Sequence, residues 1–110
     1  MVEGFWIVQY EGVAGNGGGV VIFMRGRALG GDTGYIYTGS YQQQGDDISA
    51  QVAVRNFLPE VVSVLGIVGD FQLTISGKIT GDVIKGTAAL VGQQGGGMLV
   101  KLTRVSDLPA

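Results

Sequence analysis

Hydrophobic and polar residues alternate along several short stretches of this chain. Every second position from Ile48 to Val54 is apolar, and residues 69–77 repeat the pattern with Phe71, Leu73 and Ile75. A period of two places the apolar side chains on one face of a β-strand. Glycine clusters separate the stretches, which is typical of turns. The pattern predicts strands at residues 4–11, 18–25, 27–31, 34–42, 46–57, 69–77, 82–90 and 98–105.

One segment between the strands has a helical signature. Pro59 suits the first turn of a helix, where its missing N–H has no intrahelical partner to lose. Gly66 can end the helix in a left-handed conformation. A short helix is therefore predicted over residues 59–65. We expect its apolar side chains to plug one end of a barrel; these are Val61, Val62, Val64 and Leu65.

Short connections between so many strands favour closure of the sheet on itself. Closure removes exposed strand edges, and about eight strands enclose an interior that side chains fill or that holds one small ligand. The small residues Gly39, Gly86 and Ala88 fit the inside of such a barrel. The prediction is an all-β, eight-stranded antiparallel up-and-down barrel with one short helix, forming a single domain over residues 1–110.

The first hairpin breaks the alternation. Residues 6–8 and 20–24 are apolar on both faces, so the outer face of this hairpin needs a cover. Charged residues make up only 15% of the chain, which leaves little polar surface to mask apolar patches. The sequence predicts a homodimer across a two-fold axis, with Val21 and Phe23 as the outward, interface residues.

Composition removes several classes of chemistry. The chain contains neither cysteine nor histidine, which excludes disulfides, Cys/His zinc sites and imidazole-activated nucleophiles. The net charge of −2 gives no electrostatic attraction to nucleic acid or an anionic membrane. Residues 1–4 lack the basic region of a signal peptide, and no run approaches a spanning helix. We expect a cytoplasmic, non-enzymatic protein with no metal or cofactor.

The tripeptide Asp32-Thr33-Gly34 matches the catalytic motif of retroviral-type aspartic proteases. In that family a buried strand precedes the aspartate and a small residue follows the glycine, whereas this chain has Gly30-Gly31 before it and Tyr35 after it. Short motifs outside their structural context are often accidental. The favoured interpretation is a structural turn, in which Asp32 accepts hydrogen bonds from its own backbone and Gly30, Gly31 and Gly34 permit the conformation.

Three other features leave alternatives open. The glycine-rich stretches 12–19 and 93–97 are interpreted as hairpin turns, because strands follow them and a phosphate cradle needs a helix. Asp46-Asp47 is a solvated loop tip or a partner contact. A set of aromatic residues either forms ordinary core or lines a ligand cavity; these are Trp6, Tyr10, Tyr35, Tyr37 and Tyr41.

Over residues 4–105 the chain resembles the GrlR family, negative regulators of type III secretion gene expression. The resemblance lies in a series of short motifs whose order and spacing agree. They are Gly4-Phe5-Trp6, Gly18-Gly19, Gly30-Gly31-Asp32, Tyr37-Thr38-Gly39, Asp46-Asp47-Ile48, Pro59 with Ser63-Val64-Leu65, and Asp70-Phe71-Gln72-Leu73.

The resemblance implies a lipocalin-like barrel with a short helix, a homodimer, and sequestration of a transcriptional activator through a loop of four acidic residues. The matching positions are Gln44, Gly45, Asp46 and Asp47, of which two are acidic. We therefore expect a regulator that binds a protein through Gln43, Gln44, Gly45, Asp46 and Asp47, and the resemblance implies that this partner is a transcriptional regulator. The alternative is a barrel that binds a small apolar molecule in its interior.

Overall fold

The computed structural model describes residues 2–92 and 97–109. The predicted turn at 93–97 therefore lies outside the described residues, except for Gly97. Within the described ranges the chain forms the following strands: β1 (Gly4–Gly12), β2 (Gly15–Met24), β3 (Arg27–Gly31), β4 (Tyr35–Gln44), β5 (Asp47–Asn56), β6 (Phe71–Thr80), β7 (Val83–Leu90) and β8 (Met98–Ser106).

The strands form one closed barrel. Each strand pairs antiparallel with the next in sequence, and β8 returns to pair with β1. This confirms the predicted eight-stranded antiparallel barrel. The connections β1–β2, β3–β4 and β5–β6 lie at one end, which we call the loop end. The β2–β3, β4–β5 and β6–β7 turns lie at the other, which we call the hairpin end.

The predicted helix over residues 59–65 is wrong, since the described chain contains no helix and residues 57–70 form turns and irregular backbone. The Ser63 hydroxyl accepts hydrogen bonds from the N–H groups of Leu65 (3.2 Å) and Ile67 (3.1 Å). Serine bonded to its own backbone in this way competes with helical hydrogen bonds. The segment nevertheless plugs the barrel, because Val61 and Leu65 pack against the core.

The second strand begins earlier than predicted. Gly15 pairs with Gly12 and Gly17 pairs with Tyr10, so the glycines that suggested a turn belong to β2. The turn itself is at Val13 and Ala14. Glycine has low intrinsic strand preference, but pairing with β1 supplies the hydrogen bonds that hold these residues extended.

The core divides into two clusters along the barrel axis. At the hairpin end the Trp6 ring meets Phe23 edge-on with centroids 5.9 Å apart, and its indole N–H donates to the Val2 carbonyl at 2.9 Å. These aromatic contacts form a solid floor. Toward the loop end the core combines the buried Tyr35 ring with smaller side chains, including Ala50, Val52, Leu73, Ala88 and Val100.

The register of β2 overturns the expected direction of two side chains. Val21 is 8% exposed and Phe23 5% exposed, so both point into the barrel and cannot form an outer interface. The outward residues of β2 are Val20, Ile22 and Met24. The strand is apolar on both faces, so period alone could not tell the inner face from the outer one.

Candidate ligand-binding site

The turn between β3 and β4 is organised by Asp32. Its Oδ1 accepts hydrogen bonds from the N–H groups of Gly34 (3.0 Å) and Tyr35 (2.9 Å). Its own N–H donates to the Tyr35 carbonyl at 3.0 Å. This is the bonding expected of a turn aspartate.

The glycines on either side of Asp32 allow close approach of neighbouring backbone and do not provide an unusual backbone angle. None of Gly30, Gly31 and Gly34 has a positive φ. A Cβ on Gly30 would lie 1.9 Å from the Val20 carbonyl oxygen, and one on Gly34 would lie 2.6 Å from the Val61 Cβ. These positions exclude a side chain because a neighbouring strand or loop occupies the space.

Two tyrosines from separate strands meet at the other oxygen of Asp32. The hydroxyls of Tyr10 on β1 and Tyr37 on β4 both donate to Oδ2, and the two hydroxyls lie 3.3 Å apart. We call these three residues the Asp32–tyrosine cluster. Strands β2 and β3 separate β1 from β4 in the sheet, so only the closed barrel brings these residues together.

Glycines on β2 make room for this cluster. A Cβ on Gly17 would lie 2.5 Å from Tyr10 Cε1, and one on Gly19 would lie 3.0 Å from the Asp32 Cβ. Any larger residue at either inward position would displace the tyrosine ring or the carboxylate. The glycine-rich half of β2 is thus part of the site.

The surroundings keep both tyrosines protonated. Burial, followed by the hydrogen bond to Asp32, raises the pKa of Tyr10 to about 12. Burial, followed by the hydrogen bond to Asp32, raises the pKa of Tyr37 as well. Loss of either proton would place a phenolate against a carboxylate in a partly desolvated site. Both hydroxyls are therefore donors to Asp32 at neutral pH.

The β5–β6 connection covers the loop end. The Tyr35 hydroxyl donates to the Val61 carbonyl at 3.2 Å, and the Asn56 side-chain amide donates to the carbonyls of Gly34 (3.1 Å) and Leu58 (3.2 Å). The Ala14 N–H donates to the Val64 carbonyl at 2.7 Å. Three loops are thereby tied together over the barrel interior.

Beneath this cover lies a cavity of about 320 Å³. Its walls are inward side chains of the strands, mainly valine, leucine, isoleucine, alanine and phenylalanine, and the Asp32–tyrosine cluster forms one polar patch among them. Exposed lining residues at the loop end, Asn16, Thr33 and Val62, mark where the cavity meets solvent. Phe23 and Ile84 line its deep part.

The residues expected to contact a partner lie elsewhere. Gln43 to Asp47 form the exposed β4–β5 hairpin, at the opposite end of the barrel from the cluster. Asp47 forms an ion pair with Lys78 (Oδ1 to Nζ, 2.7 Å), and its hydrogen bond raises the pKa of that lysine. The aromatic residues were expected either to form ordinary core or to line a ligand cavity, and they do both. Tyr10, Tyr35 and Tyr37 line the cavity, whereas Trp6 and Tyr41 belong to the floor.

Sequence reasoning missed the cluster as a unit. It placed Asp32 in a turn and Tyr37 on an inward face, but it had no means to place Tyr10 beside them. The sequence did contain one signal for the cluster, because it placed the carboxylate of Asp32 at one end of a predicted barrel and tyrosines among the residues expected in the interior.

Donors of the same chain occupy the acceptor positions of the Asp32 carboxylate. A carboxylate accepts about four hydrogen bonds, and Asp32 already receives four from its own chain. Aspartic proteases pair two catalytic carboxylates, whereas the groups bonded to Oδ2 of Asp32 are two tyrosine hydroxyls. In the described ranges no group of three or more acidic residues is placed to hold a metal ion, and no helix there is long and apolar enough to cross a membrane.

Comparison with protein-family models finds no matching family, and comparison with curated proteins finds no match.

We predict that none of the four tyrosines titrates at the ordinary value of 10.0, because burial raises the pKa of Tyr10, Tyr35, Tyr37 and Tyr41. Raised pKa values mean that the neutral phenols stabilise the fold fully below pH 10.0, and that this stability is lost as the pH rises from there toward 12. The measurement is tyrosinate absorbance together with circular dichroism. A tyrosinate step centred on pH 10.0 in protein that is still folded would contradict the prediction, and the denatured chain, titrating near 10.0, is the control.

Proposed function

We propose that this protein binds one small, mainly apolar molecule inside the barrel, at the loop end. The observation that carries the proposal is the cavity of about 320 Å³, which lies within the range of about 300–1,000 Å³ for small-molecule sites. An eight-stranded barrel is about the smallest that holds a single ligand.

Energetics support a functional cavity. Apolar wall left in contact with water forgoes roughly 25 cal/mol of stabilisation per Å², against a total stability of about 5–15 kcal/mol for a domain. The chain preserves this space with small inward residues, Ala28 and Ala50, where leucine or valine would fill it. A ligand that displaces water from these walls would recover the cost.

The proposal treats the protein as a binding protein and not as an enzyme. The Asp32 carboxylate is fully engaged by donors of its own chain, so it holds the shape of the site. Ligand affinity would come mainly from the apolar walls, and the polar patch would orient the bound molecule.

A second candidate function is binding of other protein chains, as the resemblance to the GrlR family implies. The observation that favours it is the outer face of β1–β4, where Ile7 pairs with Val20 and Ile22 pairs with Leu29, all exposed. The outer face of β5–β7 is polar instead, with residues such as Ser49, Gln51, Thr74, Ser76 and Lys85. A contiguous exposed apolar face marks an interaction surface, and a second copy of the chain is the proposed occupant.

The same function includes a regulatory contact at the β4–β5 hairpin. All residues from Gln43 to Asp47 are exposed, and a loop on a rigid barrel is free to meet a partner. Since Lys78 offsets the charge of Asp47, steering of a basic partner depends mainly on Asp46. A transcriptional regulator bound there would leave the cavity at the loop end uncovered.

Filling the cavity should weaken ligand binding. We expect Ala50→Leu, which adds volume to the lining, to weaken binding of the neutral fluorescent probe N-phenylnaphthylamine by at least about tenfold. The matched control is Ala53→Leu on the same strand, which is exposed and should change affinity by less than about twofold. A cooperative unfolding transition in urea would show that both variants fold. Equal affinity for the probe in the two variants would show that the probe does not occupy the barrel.

A charge on the apolar outer face should disrupt the homodimer. We expect Ile22→Glu to give monomers in light scattering at micromolar concentration, because the new carboxylate would be desolvated in the interface. The control is Thr74→Glu on the polar side of the barrel, which should leave the dimer intact. A monomeric wild-type protein would end this proposal.

Removal of the acidic pair should weaken capture of a protein partner. The double variant Asp46→Ala, Asp47→Ala should fold normally, since the Asp47–Lys78 pair is exposed and screened by solvent. Its recovery of partner from a lysate of the native host should fall, most at low salt, where charge steering is strongest. Glu60→Ala, at the loop end, is the control. Identical recovery by wild type and double variant across salt concentrations would leave the hairpin with no binding role.

A further inference from the structure

The polar patch of the cavity has an unusual balance of donors and acceptors. Four donors converge on the two oxygens of Asp32, namely two backbone N–H groups and the hydroxyls of Tyr10 and Tyr37. This is the arrangement of an ionised carboxylate, which accepts hydrogen bonds and donates none. Each phenol has one proton, and both protons are engaged by Asp32. What remains for a ligand is the lone pairs of the two phenol oxygens.

The charge of the patch also favours a ligand that donates hydrogen bonds over an anion. Asp32 is the one charged side chain among the described residues that line the cavity, and neither lysine nor arginine lines it. Arg104, whose guanidinium lies 5.8 Å from the Trp6 ring centroid, is at the hairpin end below the floor. The walls around Asp32 are largely apolar, so its negative charge is weakly screened there.

The neutral polar groups near the patch do not offset this charge. Asn16 and Thr33 are exposed at the mouth, where water competes for their hydrogen bonds. The Ser63 hydroxyl oxygen accepts two backbone N–H groups, and its single proton is a neutral donor and not a cation. A negatively charged head group in the cavity would meet a carboxylate and phenol lone pairs without any cation to pair with.

We infer that the cavity takes an apolar molecule whose head group donates hydrogen bonds and carries no negative charge, an alcohol or an ammonium, and that it rejects the carboxylate of the same chain length. The inference rests on the proposed function, binding of a small molecule in the cavity, and specifies the chemical class of that molecule. The head group would donate to the hydroxyl oxygens of Tyr10 and Tyr37, and the apolar body would lie between Ala50, Val52 and Leu73.

The experiment compares three unbranched ligands of equal chain length, namely decanol, decylamine and decanoate. Each displaces N-phenylnaphthylamine from the wild-type protein at neutral pH, below the micelle concentration. We expect decanol and decylamine to displace the probe at concentrations at least about tenfold lower than decanoate, because like charges in a poorly solvated site are strongly unfavourable.

Two variants test whether the Asp32–tyrosine cluster causes the discrimination between the ligand head groups. Asp32→Asn removes the charge, so the gap between decylamine and decanoate should shrink to within about threefold. Tyr37→Phe removes one acceptor and keeps the charge, so decanol should bind more weakly while decanoate stays excluded; this variant carries the test if Asp32→Asn does not fold. Asp82→Asn, exposed at the hairpin end, is the control and should behave as wild type.

The outcomes separate the inference from the function on which it rests. If the probe binds and decanoate displaces it as readily as decanol does, the head-group inference is overturned and the cavity function stands. If neither the probe nor any of the three ligands binds, both are overturned. Discrimination that survives unchanged in both Asp32→Asn and Tyr37→Phe would also overturn the inference, because some group other than the cluster would be responsible.

Discussion

The pairing of β8 with β1 is the constraint on which the rest of the structure depends. It converts a sheet of consecutive hairpins into a barrel, so the inward side chains of all eight strands share one interior. Without it, Tyr10 on β1 and Tyr37 on β4 would be separated by two strands on an open surface, and Asp32 would be an ordinary turn residue. Closure also removes the exposed edges that would let the chain pair with other molecules.

Small residues decide how the enclosed volume is used. Toward the hairpin end, Trp6, Phe23 and Tyr41 stack edge-on and fill the interior. Toward the loop end, glycine and alanine take inward positions, and the space that they leave admits the Asp32–tyrosine cluster and the cavity. Inward glycine and alanine residues weaken the local preference for strand. The same residues leave the space that forms the candidate ligand cavity. The barrel tolerates them because the ladder hydrogen bonds do not depend on side chains.

The proposed sites occupy different parts of one rigid body. The cavity lies beneath the loop end, the acidic hairpin lies at the other end, and the apolar outer face covers β1–β4. Ligand binding inside and protein binding outside are thus sterically compatible. Strand β2 links them, because Val21 and Phe23 line the cavity while Val20 and Ile22 lie on the outer face. A ligand that shifts β2 would therefore also move Val20 and Ile22 at the proposed dimer surface.

The sequence by itself determined the architecture. Alternation in β5 and β6, glycine punctuation and short connections led to eight antiparallel strands in a closed barrel, because period-two patterning and turn chemistry are local properties of the chain. The turn at Asp32 was also readable, since its hydrogen bonds to Gly34 and Tyr35 span only a few residues.

Only the tertiary structure decided the rest. The inner face of β2 depended on register with β1 and β3, since the strand is apolar on both sides. The segment at residues 59–65 had helical end signals, but the hydroxyl of Ser63 and contacts with neighbouring loops held it irregular. The meeting of Tyr10, Tyr37 and Asp32 required closure, which joins residues distant along the chain. Long-range contacts of this kind leave no periodic trace in a single sequence, and for that reason the candidate site became visible only in the folded barrel.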